Sequence, residues 1–377
     1  MRVVFDARHL QTVSRTRGIG RYSRNLLAAF ARRAPDDIAW TLLTLRNFAP
    51  ADPSPLPLHR TRSTYRLRRP ELTMLALDPL LLPFELAGQG DLYHSVQLGL
   101  PAIGRAPTVL TIHDLAPLRW PSHYLRLPYS RVGHAWQYAL AKRADAIIAV
   151  SESTKADVVA RLGIPAERVR VIPEAVDLSF HPPSQEVGGS VARERFGVPG
   201  RYVLYVGQFD PRKNMDGLFS AFARAADRDR DLRLVIVGTL GKLAGLMRDA
   251  LARSRVDPAR VVVAGGVDDA TLAALYAGAE CLLHAAWLEG FGLTALEALA
   301  AGTPVVGYRA GAVAEVVGDA GLLVDEQDPD ALGDALVTLL GDESLRSRLR
   351  AVAKPRAARF SWDRAAADTL AVYRTLR

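Results

Sequence analysis

The chain has 377 residues, 49% hydrophobic and 23% charged, with 29 glycines and 23 prolines; this excludes wholesale disorder, collagen and coiled coil and suits two globular domains. Its one cysteine, Cys281, excludes a disulfide framework and a cysteine-based metal site, and the apolar run Cys281-Leu282-Leu283 predicts a buried, inert thiol. The net charge of +8 lies almost wholly in the first half, since residues 1–180 hold 24 Lys and Arg against 15 Asp and Glu, and residues 181–377 hold 24 against 25.

Taken in chain order, Met1 runs directly into a strand over 3–5 with no apolar signal region, which points to a cytoplasmic protein. Arg17-Gly18-Ile19-Gly20-Arg21-Tyr22 then opens a helix over 22–33; its glycines either let the backbone approach a phosphate or sugar, or simply make a turn. Arg60, Arg62, Arg66, Arg68 and Arg69 crowd around Tyr65. They read as a solvated loop in a chain with 43 Arg and 5 Lys, or as a footing for an anionic partner such as a phospholipid surface or a phosphate-bearing acceptor. No helix-turn-helix, zinc finger or aromatic platform accompanies them, so nucleic acid is not an expected partner. The most apolar stretch, 72–87, is broken by Asp78, Pro79, Pro83 and Glu85; it falls short of the roughly 20 clean residues of a span, so membrane contact would be peripheral.

Further strands are predicted over 109–112, 146–150, 203–206, 234–237, 261–263, 282–283, 305–306 and 322–324, with helices over 215–226, 271–277, 293–301 and 330–340. This alternation means parallel sheets in two α/β domains. The joint is expected within 181–200, where Pro182-Pro183, Gly188-Gly189-Ser190 and Pro199-Gly200 fall. The domains are then 1–185 plus 361–377 and 186–360. Each is doubly wound and Rossmann-like, and a ligand beyond the carboxyl ends of the strands would sit in the cleft between them.

The most informative segment is Trp287-Leu288-Glu289-Gly290-Phe291-Gly292-Leu293-Thr294-Ala295-Leu296-Glu297. Glu289 falls in the loop after a strand, and Glu297 just over one turn into the next helix. The amides of Phe291, Gly292 and Leu293 open that helix and would make an anion site, with Gly290 and Gly292 permitting close approach. One short stretch thus offers a diphosphate cradle and two acceptors for sugar hydroxyls. A second piece, Tyr205-Val206-Gly207-Gln208-Phe209-Asp210-Pro211-Arg212-Lys213-Asn214, sets two cations after a strand and a glycine exit, either to neutralise a departing diphosphate or as plain loop charges. A third, Thr111-Ile112-His113-Asp114, brings a His-Asp pair to a strand exit.

These motifs, together with Ala301-Gly302-Thr303-Pro304-Val305-Val306 and Phe360-Ser361-Trp362, resemble glycosyltransferase family four, retaining sugar-nucleotide transferases of the GT-B fold, over nearly the whole chain. The resemblance implies that Arg212 and Lys213 bind the donor diphosphate, Glu297 the ribose and Glu289 the transferred sugar. It also implies that His113 lines the reaction centre, that Gly18 and Gly20 approach donor and acceptor, and that the closing segment is a helix crossing back onto the first domain. Glu174-Ala175 stands where many relatives have Asn-Gly, and Thr294 where they have Pro. The phrases around Gly18 to Tyr22 and His113 to Pro121 most resemble mannosyl-transferring members of bacterial surface-polysaccharide pathways.

The function so implied is transfer of a hexose, mannose in the closest reading, from a GDP- or UDP-linked sugar to a hydroxyl on a glycan, lipid-linked or small-molecule acceptor. No separate cofactor and no metal is implied. Asp227-Arg228-Asp229 reads as a solvated loop, and Asp328-Pro329-Asp330 as a capped helix start. A phosphate loop at Gly238-Thr239-Leu240-Gly241-Lys242 is too short, with Leu243 in the place of Ser or Thr. A GT-B epimerase and a noncatalytic sugar-nucleotide-binding subunit are the remaining alternatives.

Overall fold

Among the described residues of the structure, a computed structural model, every strand pair is parallel, as alternating short β-branched runs and crossover helices require. The structure describes residues 1–33, 35–46, 56, 59–64, 70–177, 180–208, 210–238, 244–325 and 328–377, with the backbone alone at 16, 59–64, 70–76, 244, 246 and 329. The side chains of the arginine cluster around Tyr65, Phe209, and residues 239–243 of the short glycine loop lie outside the described residues.

By contacts the chain divides into two units, Met1–Glu174 with Ser361–Arg377, and Ala175–Phe360. In the first, the strands are β1 (Arg2–Asp6), β2 (Ala39–Leu45), β3 (His59–Thr64), β4 (Leu92–Ser95), β5 (Thr108–Ile112), β6 (Ala146–Ala149) and β7 (Val169–Val171). They lie in the order β3-β2-β1-β4-β5-β6-β7. Four of them, β2, β3, β4 and β7, were not expected. Strand β3 is polar throughout, β4 carries His94 and Ser95, β7 has three residues, and Trp40, Leu42, Leu43 and Leu45 in β2 recur at neither a clean strand nor a clean helix interval.

In the second unit, β8 (Tyr202–Val206), β9 (Arg233–Val237), β10 (Val261–Gly265), β11 (Cys281–His284), β12 (Val305–Tyr308) and β13 (Gly321–Val324) follow the order β10-β9-β8-β11-β12-β13. All six coincide with expected strands. Strand order reverses between β1 and β4 in one unit and between β8 and β11 in the other, which makes the carboxyl ends at those places the natural ligand positions.

The expected helices are also present, as Gly18–Arg33, Met215–Ala226, Asp269–Gly278, Leu293–Ala300 and Pro329–Gly341. The last is capped by Asp328, whose carboxylate accepts from Ala331 N at 2.9 Å. Gly188-Gly189-Ser190 differ from their reading as linker: they lie within the helix Gln185–Phe196. Gly188 and Gly278 let this helix and Asp269–Gly278 meet backbone to backbone, where a Cβ on either would collide. The division at 174/175 thus falls before the expected 185/186, because the intervening segment packs on the second unit, with the Phe180 ring edge-on to Tyr276 at 6.0 Å.

The C-terminal helix Trp362–Thr375 belongs to the first unit. Arg374 pairs with Asp37 at 3.0 Å, Arg32 pairs with Asp363, and Trp362 meets Tyr22 edge-on at 5.6 Å. Within that unit Arg8 is wholly buried between two carboxylates, donating to Asp6 at 2.6 and 2.9 Å and to Asp78 at 2.8 and 2.9 Å, and Tyr93 donates to Asp6 at 3.0 Å. Such a bidentate pair satisfies charges that would be costly to bury alone. Among the described residues no helix is long and apolar enough to cross a membrane.

Candidate active site

In the second unit the chain leaves β8 through Gly207, whose amide donates to Val237 O at 3.0 Å. The carboxylate of Asp210 then accepts from Arg212 N at 3.1 Å and starts the tight turn Pro211–Lys213. Asn214 follows at φ 52°, the one left-handed non-glycine among the described residues, and its side chain caps the helix Met215–Ala226 by accepting from Gly217 N at 3.0 Å. Turn and cap together fix where the two cations leave the backbone.

Both cations face one carboxylate. Lys213 Nζ donates to Glu289 Oε1, while Arg212 Nη1 lies 3.8 Å from Glu289 Oε2 and donates to the Leu288 carbonyl at 3.4 Å. His284, the last residue of β11, puts Nε2 at 3.2 Å from the same Oε1. Burial alone would raise the Glu289 carboxyl, which is 8% exposed, but Lys213, the His284 hydrogen bond and Arg212 outweigh it and hold it well below the usual range.

The Glu289 loop is fixed from its own backbone. Its carbonyl accepts from Ala312 N at 3.1 Å, and Gly311, at φ 57°, lies so close that a Cβ would run into that oxygen. Trp287 N donates to Arg212 O at 2.7 Å, tying the loop to the cation turn, and the Trp287 ring stacks on Tyr308 with centroids 5.4 Å apart.

Gly290, Phe291 and Gly292 lead into the helix Leu293–Ala300. Gly292 stands at its start at φ 100°, and no side chain caps this end, so the opening amides have no intrahelical partner. The Phe291 ring is buried edge-on to Phe360 at 5.6 Å, which leaves backbone rather than side chain as its means of meeting a ligand. Glu297 is 3% exposed and accepts from the Tyr276 hydroxyl at 2.9 Å. Gly207, Arg212 and Lys213 thus follow β8, and Glu289, Gly290, Phe291, Gly292, Leu293 and Glu297 follow β11, its neighbour in the sheet; the structure brings Arg212 and Lys213 onto Glu289, while Glu297 is held by Tyr276.

Gly18, Gly20 and His113 belong to the first unit. Gly18 and Gly20 lie in the first turn of the helix Gly18–Arg33 rather than in a free loop, and a Cβ on Gly20 would collide with the carbonyls of Ser14 and Arg15. His113 follows β5. Its carboxylate partner is Glu174, at 3.0 Å from Nδ1, whereas neighbouring Asp114 accepts from Ala116 N at 2.9 Å and heads the next turn. The Tyr22 ring meets His113 edge-on at 4.8 Å.

His284, Tyr276 and Glu174 were not singled out as site residues from the sequence. His284 directly ends a strand, a legible signal; the other two reach their partners only through the fold. Of the two Asp-x-Asp strings, Asp227 ends the helix Met215–Ala226, Asp229 pairs with Arg201 at 3.5 Å, and Asp328 is the cap described above.

Residues 16–180 match the family described as Glycosyltransferase Family 4, and residues 190–356 match Glycosyl transferases group 1. The D-inositol 3-phosphate glycosyltransferase of Xylanimonas cellulosilytica is 34% identical over 299 residues, which cover 76% of this chain and 69% of that protein. The O-antigen chain mannosyltransferase B of Escherichia coli is 30% identical over 290 residues, covering 76% and 74%. Among solved structures, sucrose-phosphate synthase from Thermosynechococcus elongatus has the same fold, with a TM-score of 0.77 at 24% identity over 100% of this chain and 99% of that one. The chain belongs to glycosyltransferase family 4, a retaining family of GT-B fold, and is an enzyme that transfers a sugar from a nucleotide-sugar donor to an acceptor.

Proposed function

We propose that the sugar is a hexose, with mannose favoured, delivered from a GDP- or UDP-linked donor to a hydroxyl of a glycan, lipid-linked or small-molecule acceptor. The observation that carries the site is the convergence of Arg212 and Lys213 on buried Glu289 beside an uncapped helix start. Mannose is supported by the likeness to the O-antigen mannosyltransferase and by the phrases around Gly18 and His113.

In this reading the donor diphosphate takes up Arg212 and Lys213 and rests on the amides of Phe291, Gly292 and Leu293, with Gly207 leaving room for it. Gly290 lets the backbone come close, Glu297 holds the ribose, and Glu289 and His113 orient the sugar, with Gly18 and Gly20 near donor and acceptor. The bond from the anomeric carbon to the phosphate oxygen breaks with its electron pair going to the diphosphate. The acceptor oxygen bonds to that carbon from the same face, its proton passes to a phosphate oxygen, and configuration is retained. The cation pair supplies the charge neutralisation, so no metal is assigned a role.

The test is a thermal-shift and calorimetric panel of GDP, UDP, ADP and their sugars with excess chelator present, followed by product analysis with and without acceptor. A glycoside of retained configuration is expected. Epimerised donor without acceptor would indicate the epimerase, and donor binding with neither transfer nor hydrolysis the noncatalytic subunit.

The acceptor-side role is assigned to the unit Met1–Glu174 with Ser361–Arg377, and the donor-side role to Ala175–Phe360. Peripheral membrane contact is assigned to the acceptor side. Its support is the basic excess of that half and the exposure of Leu80, Phe84, Ile103 and Val132, of which Phe84 is 76% exposed.

A further inference from the structure

We infer that Glu174 is a positioning residue for His113: it holds the ring as the Nδ1–H tautomer and reserves the Nε2 lone pair for a hydroxyl of the donor sugar. This rests on the proposed role of His113 at the sugar. Glu174 is 3% exposed, and its Oε1 lies 3.0 Å from His113 Nδ1. A neutral imidazole with Nδ1 donating to a carboxylate has Nε2 as its acceptor. That Nε2 is buried and, among the described residues, has no hydrogen-bond partner; the same holds for Glu174 Oε2.

The ring is held from other directions as well. Thr154 Oγ1 donates to the His113 carbonyl at 3.1 Å, and Tyr22 stands edge-on to the imidazole. His113 leaves β5 and Glu174 lies beyond β7, so both occupy the carboxyl end of the first sheet, with β6 between their strands. A pair serving packing alone would gain from apolar replacements, since a buried carboxylate with one oxygen unpartnered is costly. An acceptor kept open and aimed by a buried carboxylate suits a ligand hydroxyl instead.

The experiment uses the full chain labelled with nitrogen-15 histidine. The native His113 ring is expected to give the Nδ1–H pattern in two-bond correlation spectra. Glu174→Gln, whose amide oxygen still accepts, should keep the pattern, and Glu174→Ala should lose it. In sugar transfer, Glu174→Ala should lower kcat roughly tenfold or more, with donor KM changed much less, and Glu174→Gln should restore most of the rate. In a His113→Ala background, Glu174→Ala should cost nothing further. An Nε2–H ring in the native protein, or an undiminished cost of Glu174→Ala without His113, would overturn the inference. Should Glu174→Ala fail to fold, the native spectrum and the Gln variant still decide. Native tautomer without any transfer would count against the proposed function and not against the tautomer assignment.

Discussion

Glu289 gathers three basic side chains around one buried carboxylate: Lys213 donates to it, His284 lies 3.2 Å away and Arg212 3.8 Å away. In the proposed reading a diphosphate takes up Lys213 and Arg212, and His284, 3.2 Å from Glu289 Oε1, is left as the partner of the carboxylate. Lys213→Ala is expected to lower turnover by orders of magnitude, because the departing charge loses its nearest ammonium, while the circular dichroism spectrum stays native. A wild-type rate in that variant would remove the assignment. The cations and the two glutamates stand out in the sequence because each set sits within one short stretch. The bonds from His284 to Glu289 and from Glu174 to His113 depend on strand exits brought side by side, and no local spacing encodes the second pair, 61 residues apart.

The loop after β11 is held by backbone contacts more than by side chains. Gly311→Ala would place a methyl group against the Glu289 carbonyl at a residue with φ 57°, and should destabilise the protein by about 1–3 kcal/mol and weaken donor affinity together. Urea unfolding and calorimetry would check it; unchanged stability with unchanged affinity would show that the loop yields freely. Elements were read well where the sequence holds a short continuous apolar run, as in the buried strands β8, β9, β11 and β12 and the half-buried edge strands β10 and β13, and poorly where a strand is polar or very short, as in β3 and β7. Gly188-Gly189 were misread for a physical reason: glycine marks both flexible joints and tight helix contacts, and sequence alone does not separate the two.

For the molecule as a whole, burial depresses two histidines of the first unit, His9 to about 4 and His94 to about 3. His94 hydrogen-bonds Thr111 at 2.8 Å and Tyr373, tying the sheet to the C-terminal helix. Below the ordinary histidine value near 6.5, the unfolded chain binds protons that the native state refuses, so stability is full above that pH and falls as pH drops toward 4. The slope is about 1.4 kcal/mol per pH unit for each group. Urea midpoints at pH 7 and pH 5 should show the loss, and His94→Gln should about halve it, since His9 remains; a flat wild-type profile would mean that these rings accept protons while folded. The asymmetric charge has its own expected outcome, that the chain sediments with anionic vesicles at low salt and is released at high salt or from neutral lipid.

Cys281 sits inside β11 with no exposure, and burial pushes its thiol far above the ordinary range. Maleimide reagents therefore have no native target at neutral pH. A cysteine introduced at exposed Ser122, and another at exposed Ala270, would accept a fluorophore pair without background, so energy transfer could follow the distance between the two halves as nucleotide sugar is titrated in.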